Sequence, residues 1–295
     1  MARYSEVRPA VKLSCVILTM GDRPEELRRA VEGVLHQQDA EVEVIVVGNG
    51  AALPELPGEV IALPLPENLG IPGGRNRGVE ACSGDVILFL DDDGWYPSPR
   101  LAAHVSEAFA TDPTLGVISF RIRDPEGGPG HRRHVPRLRA GDPARSSDVT
   151  TFLGGACAVR RQAYEVAGGL PDDFFYAHEE TDLAWQVLDH GYRIRYDADA
   201  VMYHPAVKPT RHAGFFRMNA RNRVWLARRN LPAPLIPVYL GVWVVLTVLR
   251  ERRPGALKAW FGGFREGWKE PAGPRRPISW GTVWRMARTG RPPII

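Results

Sequence analysis

Apolar runs of strand length alternate with stretches of helical spacing through most of the chain, a pattern that predicts an α/β fold around a mostly parallel sheet. After a loose polar leader over residues 1–11, Leu13–Leu18 reads as the first strand. In the turn that follows, Asp22 and Glu25 have capping-box spacing and Pro24 falls at an early helical position. Leu27, Ala30, Val31, Val34 and Leu35 then repeat at helical spacing, and Glu43–Val47 reads as a second strand closed by Gly48-Asn49-Gly50. Strand, helix and strand make a βαβ unit with a right-handed crossover. A third strand near Val60–Leu65 enters a glycine-dense loop, Pro66 to Gly78, from which a short helix starts over roughly residues 75–82. The loop lets backbone N–H groups approach an anion, though it matches neither a Walker A loop nor the Rossmann glycine spacing.

The run Asp85-Val86-Ile87-Leu88-Phe89-Leu90 lies between Gly84 and Gly94, and its length and flanking glycines favour a strand buried on both faces over a helix. Asp91, Asp92 and Asp93 follow where that strand leaves the core. Ligands of open α/β sheets bind at the carboxyl ends of strands. Adjacent carboxylates repel unless a counter-charge is present; hard Mg²⁺ or Mn²⁺ supplies one and leaves coordination positions open for phosphates. The plainer alternative is a solvated acidic turn capping the next helix.

Leu101, Val105, Ala108 and Phe109 mark that helix, and Gly116–Phe120 another strand. Residues 121–148 have little periodicity and read as a long mobile loop, disordered or a lid, with His131 and His134 solvated. Thr150–Arg160 reads as two strands about a tight Gly154-Gly155 turn, and Arg161–Ala167 as a short helix closed by Gly168-Gly169. Glu179, Glu180 and Asp182 open a helix that ends at Gly191. There they complement the helix dipole, which also keeps them ionised as a general base near neutral pH requires. A half-exposed strand through Tyr192, Ile194 and Tyr196 follows, then Ala200–His204.

The last third is different. A helix over 214–229 carries Arg217, Arg221, Arg223, Arg228 and Arg229, and Pro232 and Pro234 end it. Leu235–Leu249 is uncharged but shorter than the ~20 residues of a membrane span. Leu257, Trp260, Phe261, Phe264 and Trp268 form an aromatic stripe at helical spacing, and Pro271–Ile295 reads as irregular. These segments either lie in a bilayer interface or pack on the preceding domain; the pairing of Trp with Arg favours the interface.

Composition narrows the field only a little. A length of 295 residues suits one large domain with an appendage, and a net charge of +4 is too small to imply nucleic acid. Cys15, Cys82 and Cys157 have no metal-ligand spacing and read as buried thiols in a reducing cytosol. No apolar signal segment opens the chain.

Taken in order, VILTMGDRP, VIVVGNG, ENLGIPGGRNRG, FLDDDGW, FLGGACAVRR, HEETDLAW and RNRVWLARRN resemble the family 2 glycosyltransferases, inverting enzymes of the GT-A fold, across residues 12–230. The resemblance implies a catalytic domain over 12–230; residues 231–295, beyond it, read from their own pattern as a helical extension, either membrane-associated or packed on the catalytic domain. It implies a divalent cation and a nucleoside-diphosphate sugar as donor, a hexose or deoxyhexose. The acceptor it implies is a glycan or polyprenyl-linked sugar of a bacterial surface polymer, met in the cytoplasm at the inner face of the cell membrane. The family's DxD-type motif falls on Asp91-Asp92-Asp93: Asp91 and Asp92 toward sugar and ribose, Asp93 on the metal, with Asp91 and His204 completing the metal site. Thr19, Arg23 and Asn49 would touch the nucleotide; Asn68, Gly70, Arg75 and Asn76 would line base and diphosphate; Gly154 and Gly155 would floor the donor–acceptor junction. The family has Asp where this chain has Gly48, and a Glu-Asp pair where it has Glu179-Glu180. Glu180 takes the position of the base, with the assignment open among Glu180, Glu179 and Asp182. A non-catalytic glycan-binding scaffold is the alternative from another class, and the two intact acidic clusters argue against it. A sugar-phosphate nucleotidyltransferase would need a basic Gly-rich loop after the first strand, where this chain has TMGDRP.

Overall fold

The computed structural model describes residues 11–128, 132–139, 141–205 and 214–295; His131 lies outside them. The first half runs β1 (Leu13–Thr19), α1 (Pro24–Leu35), β2 (Val42–Asn49), β3 (Val60–Leu65), α2 (Gly70–Ala81), β4 (Val86–Asp91), α3 (Leu101–Thr111) and β5 (Leu115–Arg123). Then come β6 (Ser147–Val149), β7 (Ala156–Arg160), α4 (Arg161–Ala167), α5 (Glu179–Asp189) and β8 (Arg193–Tyr203). Four helices close the chain: α6 (Phe215–Asn230), α7 (Leu235–Arg250), α8 (Pro254–Lys269) and α9 (Trp280–Arg288).

The strands form one sheet in the order β3-β2-β1-β4-β7-β5-β8-β6. β1 to β4 are mutually parallel, β7 runs antiparallel between β4 and β5, and β5 pairs parallel with β8. Successive strand residues alternate between the two faces. Val16, Ile45, Val47, Ile87 and Phe89 meet α2, α4, α5 and α6, while Ile17, Val44, Val46, Leu88 and Leu90 meet α1 and α3. Both faces of the central strands are therefore covered, as their nearly continuous apolar runs require. Cys15 and Cys157 are buried, Cys82 is half-buried, and all three are free thiols.

Several local expectations are corrected. α1 has Arg23 as its N-cap with no side-chain cap, so the Asp22–Glu25 capping box does not form. Arg23 is instead drawn to Asp92 and Asp93. α2 begins at Gly70 rather than near residue 75, because the Asn68 side chain accepts from Gly70 N–H (2.8 Å) and Asn49 from Leu69 N–H (2.9 Å). β6 and β7 are not a hairpin: β6 pairs with β8, and residues 150–155 run as an irregular connection along the sheet end. The two late strand segments merge into one β8, with a register irregularity opposite Phe120 and Arg121. The 121–148 stretch holds a short 3₁₀ turn, Arg132–His134, and an ordered bend where Arg137 donates to the carbonyls of Asp142 (2.6 Å) and Arg145 (2.8 Å).

The tail is irregular only outside α9: residues 271–279 and 289–295 hold no helix or strand, while Trp280–Arg288 is helical. Ser279 caps α9 by accepting from Thr282 N–H at 3.2 Å, and the helix buries Thr282 and Met286. α8 lies directly on α6: a Cβ on Gly263 would strike the Arg217 backbone, and one on Gly267 would stand 2.7 Å from Val224 Cβ. The aromatic stripe therefore divides, with Trp260 buried and Phe261 and Trp268 exposed. α7 anchors through Tyr239 and Leu240 and leaves Val238, Val245, Val248 and Leu249 exposed. Among the described residues no helix is long and apolar enough to cross a membrane.

Candidate active site

The carboxyl ends of β1, β2 and β4 open onto a cleft of about 920 Å³, within the usual range of ligand sites. β4 delivers the acidic run to its floor. Thr19, at the end of neighbouring β1, donates its hydroxyl to Asp92 at 2.7 Å. Arg23 bridges Asp92 (2.6 Å) and Asp93, and Arg75 of α2, 3% exposed, pairs with Asp91 at 2.8 Å. Two guanidiniums thus already face three carboxylates, which reduces the charge that a cation would have to offset. Asp92 is the most enclosed, and burial pushes its carboxyl up to about 6 despite Thr19 and Arg23.

Asp91, Asp93 and His204 each present one ligand atom, and these atoms lie within 4.8 Å of one another. The imidazole Nδ1 faces the Pro205 carbonyl (2.7 Å), so Nε2 is the nitrogen turned to Asp93, at 3.1 Å. Burial would lower the His204 pKa, but the hydrogen bond and charge of Asp93 raise it overall. Two carboxylates and one imidazole fit Mn²⁺ or Mg²⁺.

Asn49 and Asn68 line the cleft but spend their amides on the loop: Asn49 Nδ2 donates to Asn68 Oδ1 and to the Gly70 carbonyl, both at 3.0 Å. The structure accounts for Gly48, since a Cβ there would stand 2.5 Å from the Ala51 carbonyl oxygen. Asn76 is turned away from the cleft, donating to the Leu170 carbonyl at 2.8 Å and accepting from Tyr164.

The opposite wall is the start of α5. Gly154 packs against both Arg75 and Glu180: a Cβ there would lie 2.6 Å from the Arg75 guanidinium and 2.8 Å from Glu180 Cγ. Glu180 is half-buried at the cleft wall, Glu179 is buried behind it with Oε2 unpartnered, and Asp182 is fully buried. Asp182 accepts from Arg229 Nε (2.9 Å) and Asn230 (2.6 Å), tying α5 to α6 outside the cleft. Burial works against the helix dipole here, most strongly at Glu179. Burial raises both Glu179 and Glu180, and their proximity makes one proton shared between them easier to hold.

One residue that shapes the cleft wall has no sequence signal of its own. Phe175, Ala177 and His178 all have φ between 61° and 75°, a strained run directly before α5. Asn222 of α6 holds it, its Nδ2 lying 2.8, 2.7 and 2.9 Å from the carbonyls of Phe174, Tyr176 and Ala177. Only the RNRVWLARRN segment as a whole hinted at this.

Comparison with known proteins agrees with this fold. Residues 14–168, more than half of the chain, match the family model "Glycosyl transferase family 2". A curated relative, the pre-mycofactocin glycosyltransferase of Mycobacterium tuberculosis, is 26% identical over 209 residues, covering 64% of this chain and 42% of that protein. The chain spans less than two thirds of the length of the curated relatives it matches, from 42% to 61%. Among solved structures, the mannosyltransferase PcManGT of Pyrobaculum calidifontis, in complex with GDP-Man and Mn²⁺, superposes with a TM-score of 0.55 at 16% identity, covering 95% of this chain and 73% of that one. Residues 1–349 of S. aureus TarS, in complex with UDP-GlcNAc, give 0.60 at 14% identity, covering 89% and 82%. These likenesses carry the fold, and the matched family carries the assignment: the chain belongs to glycosyl transferase family 2 and has the GT-A fold.

Proposed function

We propose that this glycosyltransferase moves a hexose or deoxyhexose from a nucleoside-diphosphate sugar to a hydroxyl of a glycan or polyprenyl-linked acceptor, in one inverting displacement. The observation that carries the reading is the placement of Glu180 across one cleft from the Asp91, Asp93 and His204 cluster, with Gly154 and Gly155 between them. In this reading residues 12–230 hold the donor and residues 231–295 complete the acceptor side, where Trp243, Leu246 and Arg250 line the cleft.

Asp91, Asp93 and His204 would hold Mn²⁺ or Mg²⁺, which when bound offsets negative charge on the donor diphosphate. Thr19 and Arg23 fix Asp92 toward the nucleoside, while Arg75 orients Asp91 and adds positive charge to the leaving-group side. Asn49 and Asn68 shape the loop that receives the base. The Glu180 carboxylate takes the proton of the acceptor hydroxyl as that oxygen bonds to the anomeric carbon. The bond to the diphosphate breaks on the opposite face, the nucleoside diphosphate leaves with the electron pair, and the configuration inverts. Glu179 and Asp182 position the helix that presents Glu180.

The exposed apolar face of α7, with Arg250 at its end and Trp280 and Trp284 exposed on α9, supports peripheral contact with the cytoplasmic face of a membrane, where a polyprenyl-linked acceptor would be met. Slow release of nucleoside diphosphate from a nucleotide sugar without acceptor tests the enzymatic reading, since a non-catalytic scaffold would release none.

A further inference from the structure

Beside the cleft, on the Glu180 side, lies a recess of about 140 Å³, several times the roughly 30 Å³ share of one water molecule. His178, Thr181, Trp243 and Arg291 line both spaces, so the recess is a side chamber of the cleft. None of the acidic run at the end of β4 reaches it.

Its chemistry is one-sided. Arg223 is 6% exposed, and among the described residues no carboxylate pairs with it. Its guanidinium donates to the Tyr239 hydroxyl at 3.0 Å and lies 3.6 Å from the centre of a Trp243 ring. Arg291, half-buried, brings a second positive charge, which is partly offset because its Nε donates at 3.3 Å to an oxygen of the last residue, Ile295. The Trp243 indole N–H and the His178 Nε2 are buried there without partners. Burial and the charge of Arg223 hold His178 neutral. No Asp or Glu lines the chamber. A buried guanidinium without a counter-ion costs stability, and a fold that keeps Arg223 in that state, with the half-buried Arg291 beside it, is arranged for an anion that arrives with a ligand.

We propose that this chamber binds a phosphate group carried by the acceptor, placing the acceptor hydroxyl at Glu180. The proposal rests on the reading that Glu180 faces the acceptor and that the donor diphosphate lies at the acidic run. Several converging N–H donors suit the multiple oxygens of a phosphate better than the two of a carboxylate.

Thermal denaturation of the full chain in chelator, titrated with inorganic phosphate against sodium chloride of equal ionic strength, tests it. Phosphate should raise the wild-type Tm beyond the chloride control and beyond acetate. Arg223→Met should weaken the apparent phosphate affinity by roughly tenfold to a hundredfold, as loss of a charged hydrogen bond would. Arg291→Gln should act in the same direction and serves if the first variant does not fold. Methyl phosphate and dimethyl phosphate as further probes separate a terminal from a bridging phosphate. No phosphate-specific gain in the wild type, an equal gain with acetate, or wild-type affinity in a folded variant overturns the proposal. Acceptor-free donor hydrolysis by the wild type reports on the underlying reading separately: hydrolysis without a phosphate effect removes only the chamber.

Discussion

Gly155 and Asp91 stand against each other: any Cβ on Gly155 would lie inside the van der Waals radius of the Asp91 carboxylate. The sheet explains the closeness, because Leu90 pairs with Ala156 in the last rung of the β4–β7 ladder and these two residues come next. Gly155→Ala should therefore displace Asp91 from Arg75 and from the candidate metal ligands Asp93 and His204, with little effect on a core that ends one rung earlier. Calorimetry with a nucleoside diphosphate and Mn²⁺ should show affinity lower by roughly tenfold to a hundredfold, the usual scale for disturbing a ligand's support. Unchanged affinity would remove Asp91 from the metal site.

Glu180→Gln keeps the shape of the cleft wall and loses the proton acceptor. Turnover should fall by roughly 10²–10⁴-fold with donor binding retained. Asp182→Asn should act on stability instead, because it leaves Arg229 as a buried charge without its partner, at a cost of about 3–5 kcal/mol. Normal turnover by Glu180→Gln, together with a stable but inactive Asp182→Asn, would transfer the role of base to Asp182.

Glu179 links this wall to pH. Burial, with the neighbouring Glu180 charge, pushes its carboxyl up to about 8 from an ordinary 4.5. Between those values the folded state holds a proton that the unfolded chain has released, so stability falls as pH rises through that window. Glu179→Gln cannot lose that proton and should flatten the decline. Denaturation midpoints measured across the window check this; parallel wild-type and variant curves would show that Glu179 is ionised throughout.

The fold was legible in the sequence because the central strands are buried on both faces, so Leu13–Leu18, broken only by Ser14, and Val86–Leu90 read as apolar runs. The acidic run was legible as a candidate site because it sits at the end of one of them. Its counter-charges were not, since the Arg75–Asp91 pair joins a helix to a strand end across 16 residues of chain. Asn222 was equally hidden: its partners are backbone carbonyls more than 40 residues away, and carbonyls leave no trace in residue identity. Asp182 looked like a candidate base from local spacing alone, and only its long-range pairing with Arg229 shows it as a tie between helices. The α9 helix was missed because prolines and glycines on either side outweighed its short amphipathic turn sequence.

Membrane contact makes a separate prediction. Val245→Asp combined with Leu249→Asp changes two exposed positions of α7 and should leave the melting temperature close to that of the wild type. The wild type should co-sediment with anionic vesicles at low salt and less so at high salt, because exposed charges are screened over about 10 Å at 0.1 M. The double variant should stay in the supernatant. A wild type that never pellets would dismiss the membrane face.

The central claim is that the cluster at the end of β4 binds the donor diphosphate through a divalent cation. Isothermal calorimetry of UDP and GDP, each with and without Mn²⁺, on the wild type and on Asp93→Ala tests it most directly. Tight binding of at least one nucleotide to the wild type only with Mn²⁺, lost in a folded Asp93→Ala protein, is the expected result. Equal nucleotide affinity with and without Mn²⁺, or in both proteins, would contradict it.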